Sequence, residues 1–160
     1  MVAVLLLISV FMLGMQVHAQ NKSRKERTPV KHERSDPQAT FLRKNKQKKG
    51  VVTLPSGLQY KIITKGHGKI PTASSIVKIR YTGRLIDGTV FDRTSKPLTC
   101  AIDQLLPGCT EALQRMPVGS KWELYIPHDL GYGGKERKKI PAYSTLIFEM
   151  ELIAIEKGWK

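Results

Sequence analysis

From residue 57 onward, apolar and polar residues alternate along much of the chain. In "IVKIRYTGRL" at 76–85, Val77, Ile79 and Tyr81 fall on one side and Lys78 and Arg80 on the other, which is the period-two signature of a half-buried strand. "LQYKII" at 58–63 repeats the pattern, "KWELYIP" at 121–127 puts Trp122, Leu124 and Ile126 on one face, and "TLIFEMELIAIE" at 145–156 does the same with Leu146, Phe148, Met150 and Leu152. Asp87-Gly88 is a hairpin signal, with Val90 and Phe91 returning. Only "EALQRM" at 111–116 reads as helix after residue 50, with Thr110 as its cap, Leu113 and Met116 as its stripe, and "PVG" at 117–119 as its stop. The fold class is therefore α+β: an antiparallel sheet of about five strands wrapped around one short helix.

Before residue 51 this pattern is missing, and composition takes over. Residues 1–19, "MVAVLLLISVFMLGMQVHA", carry no charge and end on small-residue spacing at Ala19. They read as a secretory signal peptide cleaved before Gln20, or as a weak membrane tether if retained. Residues 20–50 hold eleven Lys/Arg against three Asp/Glu, a surplus of +8, while 51–160 hold sixteen against ten, +6. So dense a run of like charge cannot bury enough surface to offset its ordering entropy. It reads as a basic, largely disordered leader, turning helical toward "FLRKNKQKKG" at 41–50 and able to touch an anionic membrane weakly. Behind a secretory signal, nucleic acid is not an expected partner. The remainder, 51–160, is one domain's length.

Metal chemistry finds no ligand spacing among the four histidines, His18, His32, His67 and His128, or the two cysteines. "GYGG" at 131–134 lacks the lysine and helix of a phosphate-cradling loop. No metal and no cofactor are expected. What remains is an aromatic and aliphatic set at strand ends and loops, which taken singly is ordinary core.

Together the set is more specific. "YTGRLIDGTVFD" at 81–92, "QLLPGCTEALQRMPVGSKWELYIPHDLGYGG" at 104–134 and "IPAYSTLIFEMELIAI" at 140–155 occur in order, after the lead-in "GVVTLPSGLQYKII" at 50–63. This resembles the FKBP-type peptidyl-prolyl cis-trans isomerases, in particular the bacterial secreted branch related to the macrophage infectivity potentiators. The resemblance implies that Tyr81, Asp92, Tyr132 and Ile140 act on the bound chain, Ile140 through its backbone amide. It implies that Phe91, Leu98, Cys100, Leu105, Leu106, Cys109 and Phe148 line a proline pocket. Leu98, Cys100 and Cys109 are smaller than the aromatic side chains often found there, Cys109 falling on the floor where tryptophan is common.

The resemblance also implies the activity: isomerisation of prolyl bonds in unfolded or partly folded polypeptides, outside the cytoplasm of a bacterium, during folding of exported proteins. A low-activity or non-catalytic chaperone using the same cleft is the alternative, kept open by the smaller pocket. In secreted relatives a longer helical region ahead of the domain makes a dimer. Residues 20–40 are too short and charged to complete it, so a monomer is expected. Cys100 and Cys109 are expected as free, partly buried thiols, with a disulfide as the other reading.

Overall fold

The alternating stretches become strands because each has one face to bury. The computed structural model describes residues 36–156; the apolar stretch 1–19 and residues 20–35, on which the signal and most of the leader fall, lie outside the described residues. The elements run α1 (Pro37–Asn45), β1 (Val51–Thr53), β2 (Gln59–Thr64), β3 (Ile76–Arg84), β4 (Val90–Arg93), β5 (Leu98–Ala101), α2 (Pro107–Leu113), β6 (Lys121–Ile126) and β7 (Leu146–Glu156). Short 3₁₀ turns at Ile102–Gln104 and His128–Leu130 lead into α2 and out of β6. All strand pairs are antiparallel, in the order β1-β2-β6-β7-β3-β4, with β5 pairing β3 beside this path. The sheet does not close into a barrel.

One face of the sheet carries the core, with Val77 and Ile79 of β3, Leu124 and Ile126 of β6, and Leu146 and Leu152 of β7 fully buried. Helix α2 covers it with Ala112 and Leu113, and Met116 follows in the next turn. Gly108 permits that contact, since a methyl group there would stand 2.6 Å from Cγ2 of Ile126. The opposite face is wet and cross-paired: Lys78 with Glu156, Arg80 with Glu151, Lys121 with Glu149, and Arg84 with Glu123.

The described residues hold seven strands, two beyond those the alternation marks. β1 and β5 are three and four residues long and contain no buried residue, so no dry face writes a period into them. Helix α2 begins at Pro107, three residues before the expected cap. Proline suits the first helical position, where its missing N–H costs nothing. The Thr110 hydroxyl, instead of capping, donates to the Ile102 carbonyl at 2.8 Å.

The leader's last part is helical from Pro37, four residues before the stretch expected to turn helical. α1 starts at Pro37, capped by the Asp36 side chain on the Gln38 amide, and is held to the domain by polar clips. Buried Asn45 donates to Gln59 at 3.0 Å, Gln59 donates to the Leu42 carbonyl at 3.0 Å, and Gln38 accepts from the Thr145 amide at 2.8 Å. The folded unit thus reaches back to Asp36 rather than stopping at residue 51. No helix among the described residues is long and apolar enough to cross a membrane.

Candidate functional site

Strand parity assembles an apolar cleft. Ile79, Tyr81 and Gly83 share the core face of β3, and the register sets Met150 opposite Tyr81 and Phe148 opposite Gly83 on β7. Phe91 arrives from β4, where the pairing shifts by one residue between Gly83 and Arg84. The absent side chain at Gly83 makes the seat for both rings, which meet edge to face with centroids 5.5 Å apart. Tyr81 approaches Phe148 similarly at 5.7 Å. Such T-shaped contacts place the positive ring edge on the negative ring face and fix the ring orientations.

The other wall comes from the segment entering α2. Gln104, Leu105, Leu106, Pro107 and Cys109 face the β3 and β7 residues across a cavity of about 300 Å³, and Tyr132 from the loop after β6 completes the rim. Cys109 is 3% exposed. Burial, and then the Cys100 thiol nearby, push its own thiol up to about 12, so it stays protonated and inert at neutral pH.

Two polar groups sit on this apolar ground with different commitments. The Tyr81 hydroxyl donates to Asp92 Oδ2 at 2.7 Å. Burial, reinforced by that carboxylate, holds it well above the ordinary tyrosine range. Tyr81 therefore remains a donor and orients Asp92. The Tyr132 hydroxyl has no protein partner among the described residues, whereas the Tyr125 hydroxyl donates to Glu123 on the far face. Among the described residues no cluster of three or more His, Cys, Asp or Glu lies close enough to hold a metal ion.

A family profile described as FKBP-type peptidyl-prolyl cis-trans isomerase matches residues 67–153, and these hold every residue that lines the cleft. The chain belongs to this family. A second profile, the domain amino-terminal to FKBP-type isomerases, matches residues 9–62. The chain is 53% identical over 122 residues to "Outer membrane protein MIP" of Legionella longbeachae, covering 74% of this chain and 52% of that protein. It is 47% identical over 119 residues to the FKBP-type 22 kDa peptidyl-prolyl cis-trans isomerase of Escherichia coli K12, covering 72% and 58%. The chain thus spans about half the length of the curated relatives it matches. Among solved structures it is similar to a peptidyl-prolyl cis-trans isomerase from Pseudomonas syringae pv. tomato, with a TM-score of 0.72 and 40% identity, over 75% of this chain and 91% of that one. FkpA from Escherichia coli gives a TM-score of 0.70 at 38% identity, over 73% and 56%.

Within this FKBP-type domain the structure brings together Tyr81, Phe91, Asp92, Leu105, Leu106, Cys109, Tyr132 and Phe148 around the cavity, and leaves out Leu98, Cys100 and Ile140. Leu98 and Cys100 lie on β5 opposite Ile79 and Val77; Leu98 is exposed, and Cys100 is half-buried with a free thiol. Cys109 is likewise unbridged, so no disulfide joins the pair. Ile140 is buried, and its amide already donates to the Arg137 carbonyl at 3.0 Å. It therefore has no free N–H to offer a bound chain.

A free amide does exist at the rim. The N–H of Leu106, the residue capping α2, donates to nothing among the described residues. Helix entry leaves such orphan donors, so the Leu-Pro-Gly spacing could have pointed to it. The reading of residues one by one also missed Ile79 and Met150, although they share parity with Tyr81 and Phe148. Trp122 lies outside the cavity, stacked on Tyr60 with ring centroids 4.3 Å apart, and does not replace the floor.

Proposed function

We propose that this chain is a peptidyl-prolyl cis-trans isomerase acting on proline-containing segments of unfolded or partly folded polypeptides. The observation that carries the reading is the apolar cavity walled by Phe91, Phe148, Leu105 and Leu106, with one oriented carboxylate and two uncommitted donors at its edge. Rotation about an X-Pro bond is slow because it breaks amide resonance, a barrier of about 18–20 kcal/mol for peptide bonds. The twisted amide is less polar than the planar one, so a dry apolar cleft favours it over the ground state. The Leu106 amide and the Tyr132 hydroxyl hold the bound chain, while Asp92, fixed by Tyr81, faces the twisting carbonyl. No proton is transferred.

The test is catalysed isomerisation of a prolyl peptide by the full chain. Phe148→Ala should abolish most of the rate, and Tyr132→Phe should lower kcat/KM about two- to tenfold, the worth of one hydrogen bond. A chain that gives no acceleration over the uncatalysed rate refutes the reading. Cys109, small at the cavity floor, supports a second reading, a chaperone that holds apolar prolyl segments without turnover. Binding without acceleration would select it.

We further propose that the chain works outside the cytoplasm, as a monomer, with residues 20–50 contacting anionic lipid weakly. The printed name of the Legionella relative, an outer membrane protein, supports the location. The leader's charge of +8 supports the lipid contact. Vesicle binding with and without residues 20–35, and sedimentation of the full chain, test the two remaining points.

A further inference from the structure

The rim beside Tyr132 carries a concentration of charge that the isomerase mechanism does not use. Residues 135–139 read Lys-Glu-Arg-Lys-Lys, four cations against one carboxylate, and all five are exposed. None of the four cations has a carboxylate within 4.0 Å among the described residues. The segment is joined to the cleft by a turn, since the Lys135 amide donates to the Tyr132 carbonyl at 3.1 Å. Arg137 is then pinned by two backbone bonds, donating to the Ile140 carbonyl at 2.9 Å and accepting from its amide at 3.0 Å. So held, its guanidinium carbon stands 5.4 Å from the centre of the Tyr132 ring.

We propose that this rim reads a carboxylate next to the proline, so that among charged neighbours of the proline this cleft favours aspartate or glutamate over lysine or arginine. The inference rests on the isomerase reading and gives its site a substrate class. The Arg137 guanidinium, set over the Tyr132 ring, donates to no protein acceptor among the described residues, and its N–H fork matches a carboxylate. Lys135, Lys138 and Lys139 add a positive field at the mouth of a low-dielectric cleft, where field lines are concentrated. Asp92, the one carboxylate lining the cavity, keeps its negative charge, since Tyr81 is a neutral donor to it, but the four cations of 135–139 outnumber it at the rim. A bound chain whose proline enters the cavity and whose backbone reaches the Tyr132 hydroxyl carries its neighbouring side chain past Arg137.

The experiment compares, on the full chain, peptides that differ at one residue: Glu or Lys immediately before the proline, and Glu or Lys immediately after it, with a Leu-Pro peptide as the neutral reference. At low salt, kcat/KM should favour Glu over Lys by about three- to tenfold at one flank or both. The ratio should contract toward one at about 1 M salt, where the Debye length is about 3 Å. It should shrink likewise in Arg137→Gln and reverse in the pair Lys138→Glu with Lys139→Glu. Because the ratio is taken within one protein, a general loss of activity in a variant cancels. Ratios near one at both flanks, or a preference that survives both Arg137→Gln and high salt, overturn the proposal. Leu-Pro turnover reports on the isomerase reading separately. If that reading fails, calorimetric affinities for the same Glu and Lys peptides decide whether the rim selects acid, equal affinities again overturning it.

Discussion

Gly83 gives the sharpest test of how the cleft is built. A methyl group added there would stand 2.6 and 2.7 Å from Cζ and Cε2 of Phe91 and 2.9 Å from Cε1 of Phe148. Carbon atoms in good contact sit about 3.5–4.0 Å apart, so Gly83→Ala requires the two rings to withdraw by about 1 Å. Both are cavity walls. Overpacking of this kind costs about 1–3 kcal/mol, which for a domain of this size lowers Tm by about 3–15 °C. A misplacement of about 1 Å in groups that bind the reacting bond can cost about 100-fold, so kcat/KM for a prolyl peptide should fall by about ten- to 100-fold. Gly88→Ala separates crowding from backbone strain. Gly88 has φ +90° and no atom within 4 Å of an added methyl, so that variant should lose about 1 kcal/mol of stability and keep its activity. Adding Phe91→Leu to Gly83→Ala should recover part of the stability without restoring turnover, a non-additivity expected of residues in contact. A Gly83→Ala protein with unchanged Tm and kcat/KM within twofold of the parent would refute the reasoning.

Three further outcomes are expected. Cys109→Trp should raise prolyl isomerisation by refilling the floor, and activity that stays equal or falls in a folded variant, checked by its unfolding transition, counts against the small side chain as the limiting feature. Alkali should destabilise the domain: burial raises the Cys109 thiol to about 12 and, with Asp92, raises the Tyr81 hydroxyl further, so the folded state keeps protons that the unfolded chain releases. That contribution is complete below about pH 9, where unfolded cysteine begins to ionise, and is lost as pH rises through the folded values. Denaturation midpoints from pH 7 to 12 will follow it, and a midpoint independent of pH above 9 would contradict it. Asn45→Ala should remove the buried clip between α1 and β2 and leave Gln59 short of a partner, at about 1–3 kcal/mol. Limited proteolysis will then cut in 36–50 with isomerase activity retained, and unchanged protection of α1 would show that the clip does not hold it.

How far these features were legible depended on whether a residue's neighbours are periodic or distant. β3 and β7 could be read because Val77, Ile79 and Tyr81, and Phe148, Met150 and Leu152, each repeat every second residue toward one buried face. β5, "LTCA", could not, since its partners lie on one edge of β3 and none of its residues is fully buried. Thr110 looked like a cap by type, but its hydroxyl was claimed by Ile102, eight residues earlier. For α1 the helical stretch was legible over 41–45, but its start at Pro37 and its tie to the domain were not, for the same reason. It is held by Asn45 on Gln59 and Gln38 on Thr145, pairs fourteen and 107 residues apart, and not by a continuous apolar stripe. In the cleft the side chains were readable and the backbone was not: the type of residue at 140 says nothing of its amide, which the Arg137 carbonyl occupies, while that of Leu106 is free.

The same alternation that made the walls readable also protects their chemistry. A non-covalent isomerase depends on its cleft staying apolar, and side chains on a strand switch face with every residue, so a one-residue slip of β7 would turn Phe148 and Met150 away and bring Glu149 and Glu151 toward the cavity. Those carboxylates are held on the opposite face by Lys121 and Arg80, and the slip would break these pairs while burying unpaired charge. Each exposed pair contributes little by itself, about 0–1 kcal/mol. An uncompensated charge in the core costs several kcal/mol. The ion pairs on the wet face therefore matter less for stability than for the register they agree with, and that register keeps water-seeking groups out of the place where the amide must twist.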